Sequence, residues 1–263
     1  MKHVVLFSGG VGSWAAARRV QDSIQNEPDA EFILLFTDTG SEHPDLYRWL
    51  PEAAANVGGK LVWLKQDYDG LWDLFNKQNM IANTRADFCS RILKREPARK
   101  WVEENCDPDD TIIYIGIDWT EAHRFDRASP HWQPYTLSAP LIEPPYLSKI
   151  ELLSMIEDEG MVPPAAYRAP LLYAHNNCSG FCIKQGFAGF LKLLRADPET
   201  YAYHEEEERK FRERTGKDVS VLRDRRGGVT KPLTLEAFRL RAEEGGEQVS
   251  MFEADTSCAE CML

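Results

Sequence analysis

Two groups of residues in this 263-residue chain could do chemistry. The first is a glycine turn, Ser8-Gly9-Gly10-Val11-Gly12-Ser13, set between the apolar run Val4–Phe7 and Trp14-Ala15-Ala16-Ala17. Glycines let a backbone approach an anion closely. A helix starting there would present unpaired N–H groups and its positive dipole end to that anion. Ser8 and Ser13 add hydroxyl donors. The turn matches neither the G-x-x-x-x-G-K-S/T phosphate loop nor the G-x-G-x-x-G dinucleotide fingerprint. The second group is the cysteines: Cys89, Cys178 with Cys182, Cys258 with Cys261, and a solitary Cys106. Thiolates at such spacings suit an iron–sulfur cluster or a closed zinc site, and free thiols are the third reading.

Elements that could position these residues alternate strand and helix along the first half, the pattern of a parallel sheet with crossover helices. Strands are expected at His3–Phe7, Phe32–Phe36, Lys60–Leu64 and Thr111–Ile117, with a short last one at Pro140–Ile142. Helices are expected at Trp14–Ile24, Pro44–Val57, Pro97–Asn105, Lys149–Glu159, 186–214 and Leu235–Glu244, with a turn or hairpin at Arg226-Gly227-Gly228. Ligands of an open parallel sheet bind beyond the carboxyl ends of its strands. Three polar clusters fall there: Ser8–Ser13, Asp38–Pro44 and Gly116–Arg124. The fold expected is α/β, a mainly parallel sheet of about five strands flanked by helices, followed by a helical, cysteine-bearing C-terminal part.

The formal charge is −11, from 42 acidic and 31 basic residues. That balance argues against a broad nucleic-acid or anionic-membrane footprint, though not against a local basic groove. Glu205–Glu208 reads as a solvated helix face. No apolar run approaches the roughly 20 residues that span a bilayer, and the opening VVLF is short for a signal peptide. No membrane partner is expected, and the expected compartment is the cytoplasm, where thiols stay reduced.

Four stretches together carry a resemblance. SGGVGS resembles the SGGxDS pyrophosphate loop of the adenine nucleotide α-hydrolase-like, or PP-loop, superfamily. FTDTGSEHPDLY resembles the DTG segment of its phosphoadenosine phosphosulfate (PAPS) reductase family. Cys89–Pro97 resembles the Cys-Cys stretch of the iron–sulfur members, and Gly116–Arg124 resembles their G-x-R-x-x-E-S-x-x-R. The resemblance runs in the family's order over roughly residues 3–190.

It implies a Rossmann-like, HUP-type nucleotide-binding domain over 1–185 and a mainly helical region with a C-x-x-C tail over 186–263. It further implies that Ser8, Gly9, Gly10, Gly12 and Ser13 cradle phosphate or sulfate oxygens. Asp38, Thr39 and Gly40 would lie beside an adenine nucleotide (PAPS, its relative APS, or ATP with Mg²⁺). Gly116 would allow close approach and Arg124 would contact an anionic group. Cys89, Cys178 and Cys182 stand in family-like cluster positions; Cys258 of the tail is a fourth candidate ligand, or an iron stays open. Two departures matter: Gly12 replaces the loop's aspartate, and Asp118 stands where the family has an arginine.

The concrete activity implied is reduction of an adenylyl sulfate to sulfite. The Cys261 thiol would attack the sulfur, and a thioredoxin- or glutaredoxin-type donor would resolve the thiosulfonate. The alternative is an ATP-dependent sulfurtransferase that adenylates a base of RNA or DNA or a small acceptor. A third reading is a nucleotide-sensing module. A homodimer is compatible with each.

Overall fold

The computed structural model describes residues 1–84 and 86–245; Cys258 and Cys261 lie outside the described residues. Its centre is a five-stranded sheet in the order β3-β2-β1-β4-β5: Lys2–Leu6 (β1), Glu31–Asp38 (β2), Lys60–Lys65 (β3), Thr111–Tyr114 (β4) and Thr136–Ser138 (β5). Every neighbouring pair in it is parallel. That order, reversing direction between β1 and β4, is the Rossmann-like topology with its ligand crevice at the switch point.

Three cores hold the chain together. On one face, Val11–Ile24 (α1) and Pro44–Val57 (α2) bury Trp14, Val20, Trp49 and Leu50, joined by Leu152 and Ile156 of Lys149–Asp158, which becomes α7 below. On the other face, Ala98 and Val102 pack against β1 and β4 with Ala128 and Trp132. The helices responsible are Glu96–Asn105 (α5) and His123–Trp132 (α6). Between β3 and α5 come Gly70–Gln78 (α3) and Phe88–Ser90 (α4), the latter running through a π-helical turn at Arg91–Arg95 into α5. The third core joins α3 and α4 to the C-terminal helices Gly186–Ala196 (α8), Pro198–Thr215 (α9) and Leu235–Glu243 (α10). A hairpin of Leu222–Asp224 (β6) and Lys231–Leu233 (β7) completes it.

Several expectations are corrected. Pro140–Ile142 is a single 3₁₀ turn, and the last strand is Thr136–Ser138, three residues that extend β4's edge. The fourth strand ends at Tyr114 because Gly116 leaves the ladder to meet α1. The helix over 186–214 is two helices. Asp197 caps the second by accepting from the Thr200 N–H at 3.0 Å, with Pro198 in its first turn. Helices α3 and α6 went unforeseen. The Leu71, Leu74, Phe75 spacing of α3 was legible, whereas α6 shows only Ala128 and Trp132 on its core side, with Pro130 inside it.

Glu208 also departs from the solvated face it was assigned to. It is 1% exposed, and its carboxylate accepts from the backbone N–H groups of Val221 at 2.8 Å and Leu235 at 2.7 Å. One side chain thus pins the starts of β6 and α10 to α9. Burial pushes its pKa up to about 7, against the opposing pull of those two N–H donors. A carboxyl raised in the folded state contributes stability that is fully present below its ordinary value and lost as pH rises through about 7. Urea midpoints of the wild type at pH 5, 6.5 and 8 should fall, and Glu208→Gln should flatten that fall. The same variant should cost about 1–3 kcal/mol at pH 5, because one N–H loses its acceptor.

Candidate nucleotide and thiol site

The turn after β1 folds as its glycines dictate. Gly9 has φ +76°, and a Cβ there would lie 2.4 Å from Leu46 of α2. Ser13 donates to the Gly10 carbonyl at 2.8 Å, and Ser8 donates to the Ser13 hydroxyl at 3.3 Å. No side chain caps α1 at Gly10, and its first turn carries no acidic residue. The first N–H groups of a helix have no intrahelical acceptor, so this end carries the helix's positive pole.

Gly12 is explained by contact. A Cβ at Gly12 would sit 3.0 Å from the Gly116 carbonyl oxygen. A Cβ at Gly116 would sit 2.8 Å from the Ser13 nitrogen and 2.9 Å from Gly12 and Ser13 carbon atoms. The first turn of α1 and the exit of β4 therefore touch backbone to backbone.

Beyond that contact lies a cavity of about 490 Å³, within the range of small-molecule sites. Ser8, Gly10, Gly12 and Ser13 form one wall and Gly116, Asp118 and Arg124 another, and Tyr167, Lys149 and Asn176 contribute to the remainder. Arg124 is 3% exposed, and its guanidinium donates to Glu121 at 2.7 Å. Asp118 accepts from the N–H and hydroxyl of Thr120, so the residue in the arginine's place shapes the turn after β4. The Tyr167 hydroxyl accepts from the Val11 N–H at 3.4 Å.

Asp38, Thr39 and Gly40 do not line this cavity. Asp38 is buried and accepts from the Gly40 N–H at 2.8 Å, the Tyr47 hydroxyl at 3.1 Å and Trp63 Nε1 at 3.2 Å. It anchors the β2–α2 turn. Gly40, at φ +67°, packs against Gly70. Gly9 lies behind the wall, its carbonyl accepting from Asn176 Nδ2 at 3.3 Å.

Thr39 faces the second feature. Cys89, Cys178 and Cys182, each buried, line one small cavity of about 20 Å³ with Thr39 and Lys94. Lys94 Nζ lies 3.6 Å from Glu42 and donates to Asn177 Oδ1 at 3.4 Å, while Glu42 accepts from Thr39 and from the Cys178 N–H at 3.0 Å. Burial opposes the Lys94 charge, but the Glu42 carboxylate beside it raises its pKa overall. Burial also pushes all three thiols up, Cys182 to about 12. Uncompensated, they stay protonated and poorly nucleophilic. Cys178 and Ser179 both take φ +49° and Gly180 φ +78°. Left-handed non-glycine residues cost roughly 1 kcal/mol or more each, so the surrounding packing imposes this turn.

A 4Fe–4S cluster takes about one thiolate per iron, whereas zinc needs all its ligands on one ion. Among the described residues no group of three or more His, Cys, Asp or Glu is arranged to hold a metal ion. Three buried thiols share one small cavity with a buried ammonium, and the fourth candidate, Cys258, lies outside the described residues. Cys106 sits apart at the end of α5. Glu42 and Tyr167 were missed from sequence. Glu42 could have been found three residues after Thr39; nothing local marks Tyr167.

No family model matches the chain. An uncharacterized protein of Methanocaldococcus jannaschii is 29% identical over 126 residues, 48% of this chain and 24% of its own length, so the chain spans about a quarter of that relative. Among solved structures, the U34-tRNA thiolase NcsA of Methanococcus maripaludis with its 4Fe–4S cluster is similar over 65% of this chain and 61% of its own, at TM-score 0.46 and 16% identity. Phosphoadenylyl-sulfate reductase from Candida auris, in a phosphate complex, is similar over 62% of this chain and 74% of its own, at TM-score 0.42 and 14% identity. The fold stands on the strand order and the parallel crossovers themselves.

Gly116→Ala should lower stability by about 1–3 kcal/mol, because the added methyl meets only backbone that cannot rotate away. It should also abolish anion binding at the turn, while Gly12→Ala should do less of both. Urea unfolding with calorimetric titration of ATP and pyrophosphate checks this.

Proposed function

We propose that the chain is an adenine-nucleotide-binding enzyme of the PP-loop superfamily, close to its PAPS reductase family, acting in sulfur chemistry by nucleotide-dependent sulfur transfer. One observation carries the reading: a single segment, His175–Cys182, borders the 490 Å³ cavity at one end and the three-thiol cavity at the other. Nucleotide and thiols are thereby held as neighbours.

The residues divide the work. Ser8, Ser13 and the N–H groups opening α1 bind phosphate oxygens, and Arg124, desolvated beside Glu121, adds a fixed positive charge. Tyr167 and Asn176 hold the turn in place from the opposite wall. Lys94 offsets negative charge among Cys89, Cys178 and Cys182. A cluster held by those three cysteines would supply iron-bound sulfur to a nucleotide-activated acceptor, which is a nucleic-acid base or a small molecule.

None of the four described cysteines lines the larger cavity. Direct thiol attack on a bound adenylyl sulfate accordingly falls to Cys261, and the C-x-x-C spacing of Cys258 and Cys261 favours that second reading, PAPS or APS reduction.

Protein purified anaerobically and reconstituted with iron and sulfide should show iron–sulfur absorption that each of Cys89→Ser, Cys178→Ser and Cys182→Ser abolishes. It should also release pyrophosphate from ATP only when acceptor is present. Sulfite released from PAPS with thioredoxin, and lost in Cys261→Ser, would instead establish the reductase and overturn sulfur transfer.

A further inference from the structure

The larger cavity has an aromatic rim that the phosphate cradle does not need. Trp119, in the 3₁₀ turn Trp119–Glu121 after β4, is 45% exposed and lines the cavity. Tyr146, from the loop that leads into α7, is 56% exposed, and its ring centroid lies 5.6 Å from that of Trp119 at an interplanar angle of 49°. Two segments of different origin thus bring two large exposed rings together, Trp119 lining the cavity and Tyr146 packing against Trp119 from outside that lining. Burial cannot be their purpose, since each keeps about half its surface in water.

We propose that Trp119, backed by Tyr146, is a stacking subsite for a nucleobase. The inference rests on the nucleotide reading above and adds the part of the ligand that reading left unplaced. Trp119 lies three residues from Gly116, whose backbone touches Gly12 and Ser13. Three residues span at most about 11 Å, so the ring lies within the reach of a base whose phosphates occupy the turn. Every base offers a π-face, and a rigid indole grips it with little loss of side-chain freedom. The cradle itself supplies only N–H and hydroxyl donors, which recognise phosphate and say nothing about what it is attached to. The base is that of the bound nucleotide or that of an acceptor presenting an unpaired base at the same mouth.

Three probes separate these cases: ATP, inorganic pyrophosphate and a single-stranded oligonucleotide of eight thymidines, each titrated into wild type, Trp119→Ala, Trp119→Phe and Tyr146→Ala. Stacking of the nucleotide's own base predicts that Trp119→Ala weakens ATP about tenfold or more and leaves pyrophosphate unchanged, with Trp119→Phe close to wild type. Stacking of an acceptor base predicts that ATP and pyrophosphate are unchanged and the oligonucleotide is weakened to that extent. Variants that bind all three probes as the wild type does, or that lose all three together, overturn the subsite. A wild type that binds neither ATP nor pyrophosphate overturns the nucleotide reading itself.

Discussion

The contact between Gly12 and Gly116 is the constraint on which the rest of the site depends. A Cβ on Gly116 would fall inside contact distance of Ser13 and Gly12 backbone, so the first turn of α1 and the exit of β4 meet with no side chain between them. The consequences run in order. Strand β4 must leave its ladder after Tyr114, α1 must begin at Val11, and the N–H groups of that turn end up facing the crevice at the switch point. The same contact bears on position 12. A longer side chain there would have to displace a carbonyl oxygen 3.0 Å away.

The thiol cavity obeys a different rule. Glu42 and Lys94 form a buried ion pair, with side chains 2% and 5% exposed. Such pairs contribute little net stability, because desolvation offsets attraction, yet losing one partner is costly, about 3–5 kcal/mol. What the pair secures is position. Glu42 takes the Thr39 hydroxyl from the end of β2 and the Cys178 N–H from the strained turn, and Lys94 reaches Asn177 from the π-helical segment. Three elements far apart in sequence are thereby fixed around Cys89, Cys178 and Cys182. Asn176, next in line, reaches back to the Gly9 carbonyl, so displacement of the 176–178 backbone is felt at both cavities.

The sequence was most informative where one physical cause acts locally. Buried parallel strands read as short apolar runs, so β1, β2 and β3 were placed within a residue or two, and the glycine turn was found from its strand-to-helix context alone. Convergence of three cysteines came from their resemblance to a known arrangement, since the 88 residues between Cys89 and Cys178 carry no record of proximity. Long-range satisfaction of polar groups left no trace. Glu208 sits in a run of four glutamates, and only the folded chain shows that two backbone N–H groups await one of them. Asp38 shows the same limit: its hydrogen-bond partners Tyr47 and Trp63 are not recognisable as such beforehand.

An excess of eleven negative charges looks ill-suited to binding an anion. In the proposed reading the conflict is removed because phosphate would be recognised by dipoles in place of a basic surface. At physiological salt, exposed charges act over roughly 8 Å, so the solvated glutamates of α9 weigh little at the turn after β1. Helix N–H groups and a desolvated Arg124 act at contact range and are screened far less. Under that proposal the cradle would select by fit: a compact di- or triphosphate would enter the cavity, while a long polyanion would gain little from the acidic exterior. Under the same proposal, an acceptor belonging to a nucleic acid would offer an unpaired base at the Trp119 rim.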